Sequence, residues 1–320
     1  MATLIIRRLG QAVPSLFIIT FIGFALLSLA PGDPLTARLD REALVRMTPE
    51  QRTEAREALG LDEPFPVQYW HWLTDLVQGD VGYSIVSGRP ALEEIGDRVE
   101  PTLILLVAAI AIAVAVGVPF GILAARRPNG FLDRTLTGAA VAMISTPTFI
   151  VGLVLIYVFA IRLDVLPAGG MGVAGEPPST SQTFRHAILP SLVLGLANAA
   201  PLARFARSGM LEVLASDYVR TARAKGLSGR AIMMRHGLRN ASLPLITLIA
   251  LLIPDLVAGA VITEQVFAWP GMGRLVVSSA QSADPAVMMA IIVMVAVVVI
   301  LVNLAADILY VFVDPRLRVS

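Results

Sequence analysis

PTLILLVAAIAIAVAVGVPFGILAA, from Pro101 to Ala125, is a run of 25 residues without one charge. As a helix it would cover about 37 Å, more than the ~30 Å hydrocarbon core of a bilayer. Glu100 closes it on one side and Arg126-Arg127 on the other. In lipid a spanning segment must satisfy its own backbone polar groups, which a helix does. A membrane β-barrel would instead show alternation over short segments. Here the apolar residues are continuous, so this stretch predicts a transmembrane helix.

Working outward, five more stretches read the same way. They are Leu9 to Ala30, Thr135 to Ile161, Ala187 to Ala203, the stretch between Arg239 and Glu264, and the stretch from after Asp284 to about Val313. The fourth span, Ala187 to Ala203, is the shortest and carries Pro190 and Pro201. The expected fold is therefore all-α, a polytopic membrane protein with six transmembrane helices and residues 1–320 as one transmembrane domain. Composition agrees. Hydrophobic residues make up 56% and charged residues 15%, against roughly 25% charged in an average soluble domain. The mean hydropathy is +0.75. These values exclude a disordered chain, a collagen and a nucleic-acid-binding domain, and they argue against a single soluble globule.

Net charge is +1, so bulk electrostatics name no partner. The absence of cysteine excludes disulfides, thiolate metal sites and cysteine nucleophiles. Lys225 is the only lysine, and Gly226-Leu227 follows it. A phosphate-binding loop needs Gly-Lys-Ser/Thr. If the protein is ATP-driven, the ATPase is another chain.

Arginine bias sets orientation. With the N-terminus inside, inner segments hold 15 of the 25 basic residues. Seven of the other 10 lie in one long outer loop beside 14 acidic residues. The positive-inside rule places both termini in the cytoplasm. The first apolar stretch is longer than the roughly 7–15 residues of a signal-peptide core, and Pro31 follows the Ser28-Leu29-Ala30 cleavage-like site, so it reads as an uncleaved span.

The outer loop, Pro31 to Glu100, holds three helical patterns. Thr48-Pro49-Glu50-Gln51 reads as a capping box with Gly60 as the stop. Pro66 to Val77 puts Val67, Trp70, Leu73 and Val77 on one face, flanked by Tyr69 and Trp72, and suits a membrane interface. Leu92, Ile95 and Val99 lead into the second span. The loop either caps the spans or serves as a docking surface for an extracytoplasmic partner.

The inner segment 204–240 is the most informative. Ser216-Asp217-Tyr218-Val219-Arg220-Thr221-Ala222-Arg223-Ala224-Lys225-Gly226-Leu227-Ser228 predicts a short helix capped by Ser216 and ended by Gly226 in a left-handed conformation. A second helix capped by Ser228 would run to about Leu238, with Leu227 near the bend. A basic loop made only by the positive-inside rule would explain the arginines. It would not explain this Ser–Gly–Ser punctuation.

At this segment the chain resembles the inner-membrane permeases of bacterial binding-protein-dependent ABC importers. Their signature is Glu-Ala-Ala, three residues, then Gly. Here Arg220-Thr221-Ala222 takes the first three positions and Gly226 the glycine. Tyr218 through Leu227 is similar to the form of the dipeptide/oligopeptide/nickel branch, as are His236, Leu238, Arg239, Asn240, Ala241 and Pro244. The general signature's Leu-Pro is displaced, in the way of the branch. Pro31-Gly32-Asp33-Pro34, Leu59-Gly60-Leu61-Asp62 with Gln68-Tyr69, Gly79-Asp80 with Gly82, and Asp314-Pro315-Arg316 extend the resemblance over nearly the whole chain.

The resemblance implies a type I importer fold and a multi-pass subunit of the bacterial cytoplasmic (inner) membrane, forming half of a translocation path. Its partners would be a second homologous permease, two cytoplasmic ATPases, an extracytoplasmic solute-binding protein and membrane lipid, with no nucleic acid. ATP and Mg would bind in the ATPases, and this chain would hold no cofactor or metal and perform no catalysis. Tyr218, Arg220, Thr221, Ala222, Arg223, Ala224, Lys225, Gly226 and Leu227 would form the coupling segment, with Leu227 presented to an ATPase groove. Di- or oligopeptides are the main cargo reading, and glutathione, nickel chelates and opines also fit the branch.

Two rivals are weaker. An intramembrane enzyme needs a nucleophile with its base, paired carboxylates or a metal. His71, His186 and His236 lie outside spans or at their ends, and neither His-Glu-x-x-His nor Gly-x-Ser-x-Gly occurs. An ion-coupled carrier would show repeats and broken helices, and it leaves the arginine-rich helix pair unexplained.

Polar groups on apolar helices are candidates for function. Asp255 after Pro254, Asn303 in the sixth span and Glu264 at the outer mouth are candidates for lining the path. Asp255 would otherwise pair at a contact with the partner permease, and Asp307 suits an interfacial structural role. Glu264, Trp269 and the Pro270-Gly271-Met272-Gly273 turn would form a gate, a docking rim or a reentrant turn.

Overall fold

The structure is a computed structural model. It describes residues 2–29, 46–58, 60–173, 175–177, 179–229, 232, 245, 248–249, 252–253, 256 and 260–313. Among these residues the protein is helical, and its only extended pairing is an isolated bridge between Tyr83 and Pro90. In chain order the helices are α1 (Ala2–Ser28), α2 (Pro49–Ala58), α3 (Phe65–Val77), α4 (Ala91–Ala125), α5 (Phe131–Ser145), α6 (Thr148–Leu155, continued by a π-helical turn Ile156–Arg162), α7 (Thr180–Ala215), α8 (Asp217–Ala224), α9 (Met272–Gln281) and α10 (Pro285–Val313). Residues 260–266 are also helical. The chain forms two compact units. One comprises Pro101–Gly273 with Val302 onward, and the other Ala2–Glu100 with Arg274–Leu301.

In the Ala2–Glu100 unit the expected capping box is present. Thr48 N–H donates to Gln51 Oε1 at 2.9 Å, and Gln51 N–H donates to Thr48 Oγ1 at 3.3 Å. Gly60 has φ +63° just past the end of α2. The packing face of α3 differs from the sequence pattern. Tyr69, 3% exposed, meets Phe17, Phe21 and Phe24 of α1 with ring centroids 5.2–5.6 Å apart. Its hydroxyl lies 2.9 Å from Thr20 Oγ1. Phe65 and Trp72 add contacts to Phe24, while Val67, Trp70 and Val77 stay exposed. Aromatic rings gain from edge-to-face contact beyond simple burial, so the flanking aromatics make the contact. Asp284, 1% exposed, accepts from Val287 N–H at the start of α10 and from Ser84 Oγ and Ile85 N–H.

In the Pro101–Gly273 unit α4 and α7 approach at glycine distance. A Cβ on Gly117 would lie 2.7 Å from Ala199 O, and one on Gly121 would lie 2.4 Å from Ala203 O. One on Gly195 would lie 2.6 Å from Ile112 Cβ. Small residues let helix backbones meet closely, which is how helices gain contact in an apolar solvent. Leu105, Leu106, Ala109, Ala187, Leu194, Leu252, Leu256, Ala260 and Trp269 build one core cluster. Leu189, Val193 and Phe267 build another with residues of α6 around them.

Three expected spans, the first, second and sixth, match α1, α4 and α10, and α4 absorbs the Leu92–Ile95–Val99 pattern into one helix. The third is not one straight helix. α5 and the α6 segment to Arg162 meet at 102° across Thr146-Pro147. A residue before proline is pushed out of the helical region, and Thr146 sits at ψ 123°. The fourth is far longer than its charge-free part, because charged residues bound an apolar run but not a helix. The fifth falls mostly outside the described residues, as do Asp255, Pro244, Pro254 and the 233–244 segment.

Candidate coupling segment and buried polar groups

α7 ends at Ser216, whose backbone turns extended with ψ 152°. Ser216 O accepts from Val219 N–H at 3.1 Å and Arg220 N–H at 3.2 Å, which starts α8. The expected side-chain cap is absent, since Ser216 Oγ turns back and donates to Val213 O. At the other end Lys225 N–H reaches Thr221 O at 3.0 Å and Leu227 N–H reaches Ala222 O at 3.2 Å. Gly226 has φ +78°, the left-handed geometry predicted from its position. Ile232 N–H then donates to Ser228 O at 3.0 Å, a helical bond past the bend.

The segment is two-faced. Val219, Ala222 and Ile232 are buried together, with Val213, Leu214 and Leu227 packed around them. Leu227 is half-buried and packs beside this cluster, because the close of α8 folds it back toward Ala222. Tyr218, Arg220, Thr221, Ala224, Lys225 and Gly226 are exposed. Tyr218, Thr221 and Lys225 are spaced i, i+3, i+7, one helical face. Arg220 pairs with Asp217 at 3.2 Å, an exposed pair that contributes little. The Arg223 side chain lies outside the described residues.

Of the path candidates, Asn303 is exposed on α10. Glu264 is 0% exposed. Thr102 Oγ1 donates to Glu264 Oε1 at 2.8 Å and accepts from Met272 N–H at 2.8 Å. Trp269 Nε1 donates to Pro101 O at 3.0 Å, and Trp269 N–H to Glu264 O at 2.9 Å. A Cβ on Gly271 would meet the Glu264 carboxylate at 2.2 Å. The Pro270–Gly273 turn thus closes over Glu264, and Thr102 holds the two sides together.

One polar site went unnoticed in the sequence. Asp133, buried in the first turn of α5, binds Arg207 of α7 through two bonds, Nε to Oδ1 at 2.6 Å and Nη2 to Oδ2 at 2.7 Å. It also accepts from Asn129 N–H at 2.8 Å and Thr137 Oγ1 at 3.2 Å. The partners are 74 residues apart, so no local spacing announces them. The available signal was one acid just ahead of an apolar run.

Residues 117–319 match the family described as binding-protein-dependent transport system inner membrane component, and residues 1–106 match its N-terminal domain. The oligopeptide transport system permease protein AppB of Bacillus subtilis (strain 168) is 42% identical over 319 residues, 99% of this chain and 100% of that protein. The glutathione transport system permease protein GsiC of Escherichia coli (strain K12) is 40% identical over 318 residues, 99% of each. Among solved structures, a chain of the MetNI methionine ABC transporter in an inward-facing conformation has a TM-score of 0.58 at 19% identity, covering 69% of this chain and 96% of that one. With its helical fold and matches to both parts of the family, the chain belongs to the inner membrane components of binding-protein-dependent transport systems, as a permease subunit of an ABC importer.

Proposed function

We propose that the chain forms one half of a translocation path for di- or oligopeptides, small ones such as glutathione included, paired with a second homologous permease. The observation that carries the mechanism is the Gly226-hinged segment, with an apolar face packed inward and Tyr218, Thr221 and Lys225 facing out. Both termini lie in the cytoplasm, following the arginine bias, so this segment faces the ATPases. There it serves as a rigid contact on one of the two ATPases, which close on ATP and open after hydrolysis. α7 carries that motion into the spans, and the path opens alternately to each side. Peptide cargo is supported by the oligopeptide, peptide and glutathione permeases among the relatives. ATP and Mg act in the ATPases, and the solute-binding protein delivers cargo from outside. Asp255 and Asn303 are candidates for lining the path, and Glu264 stands behind it, beneath the Pro270–Gly273 turn.

The test is reconstitution of the chain with the second permease, both ATPases and the binding protein in proteoliposomes. ATP-dependent uptake of labelled di- and tripeptides is expected, competed by unlabelled peptide. Robust ATP hydrolysis by this chain alone, or uptake that needs no ATPase, would refute the reading.

A further inference from the structure

We infer that Asp133 is a positioning residue for transport, and that its pair with Arg207 makes the base of the third span follow the coupling segment. This inference rests on the function proposed above. α7 is one continuous helix from Thr180 to Ala215, and α8 follows after the single residue Ser216. From Arg207 to Ala215 the helix rises about 12 Å. Arg207 therefore sits at the root of the stalk that carries α8, four residues past the apolar stretch that ends at Ala203.

A push on that stalk can bend α7, slide it past its neighbours or carry them along. Two features favour carrying. On one side Gly117 and Gly121 bring the α4 backbone directly against Ala199, Leu202, Ala203 and Ala206, and a Cβ on Gly121 would lie 2.9 Å from the Arg207 backbone nitrogen. On the other side Asp133 takes both prongs of the Arg207 guanidinium while its oxygens also hold Asn129 N–H and Thr137 Oγ1. Asn129 sits at φ +62° in the turn between α4 and α5, a conformation asparagine tolerates. The carboxylate thus fixes the turn, the start of α5 and α7 at one point. Sliding would strip a buried carboxylate of its cation, the costly way to break such a pair. The two-pronged geometry also fixes direction, which a lysine cannot do.

The cysteine-free chain allows a direct measurement. Thr135 and Glu212 are exposed on α5 and α7. Spin labels at Thr135→Cys and Glu212→Cys are read in the assembled transporter, nucleotide-free and vanadate-trapped. In the otherwise unaltered chain their separation should change by less than about 2 Å between the states, the scale of a small helix adjustment. In Asp133→Asn it should change and broaden, and peptide moved per ATP should fall about tenfold or more. Stimulation of the ATPase by the binding protein should persist, which a general folding defect would not allow. Arg207→Lys should fall between the two. If Asp133→Asn fails to assemble, the unaltered-chain measurement alone decides. Labels that separate by more than about 5 Å in a transporting complex, close to one helical turn, would overturn the latch, as would an unchanged ATP cost in Asp133→Asn. A complex without stimulated hydrolysis or uptake would instead count against the importer reading.

Discussion

Replacing Gly226 tests the link between local geometry and transport most sharply. Its φ of +78° lies where residues with a Cβ are strained, and a Cβ added there would meet nothing within 4 Å. The penalty is therefore local backbone strain, with no clash against other described residues. For an L-residue held left-handed it is roughly 1–2 kcal/mol, and highest for a β-branched side chain. That is a factor of about 5–30 in the population of the native bend. The bond that depends on it is Leu227 N–H to Ala222 O, which folds the chain back over the end of α8. Because the strain is conformational, the series should rank Gly, then Asn, then Ala, then Val, following tolerance of the left-handed region and not side-chain volume. Gly226→Val should insert at near-normal levels, lose ATPase co-purification and abolish uptake. Gly226→Asn should retain most of both. The assay is affinity pull-down of the ATPases from membranes alongside peptide uptake in the same cells. Wild-type uptake and ATPase retention by Gly226→Val would refute the reasoning. So would a series ordered by side-chain size.

Two further outcomes are expected. Thr102→Val removes a donor to Glu264 and the acceptor of Met272 N–H at a buried site, at about 1–3 kcal/mol. Thermal melting of the purified protein should fall accordingly, and Gly271→Ala should fall further because its Cβ collides with the same carboxylate. For topology, Ser87→Cys should react with an impermeant maleimide on intact cells while Ser228→Cys should not. Both sites are exposed, so labelling of the latter from outside would reverse the assigned orientation.

The helices were legible where lipid is the harsh solvent. An apolar run of sufficient length in a bilayer has one backbone solution, and α1, α4 and α10 follow it. What the runs did not reveal is what happens at their edges. α7 continues twelve residues past Ala203, and there Arg207 finds Asp133, a pairing made in three dimensions. The bend at Thr146-Pro147 has a written signal, the residue before a proline, which a reading by continuous hydrophobicity passes over. At the candidate coupling segment Gly226 was readable because glycine adopts its left-handed conformation most cheaply. The packing of Leu227 beside Val213 and Leu214 was not readable, because it is set across the bend. Tyr69 and Glu264 were similarly ambiguous. An aromatic residue or a carboxylate shows its partner only after the chain folds around it.

The glycine seam between α4 and α7 has a thermodynamic consequence. A contact formed between two helices already in lipid removes little apolar surface from water, so it rests on dispersion between matched backbones. Such a contact lacks the large heat-capacity term that bends the stability curves of soluble proteins. It should therefore hold as well in the cold as at growth temperature. Gly117, Gly121 and Gly195 would then set how closely α7 is held against α4 in the bilayer.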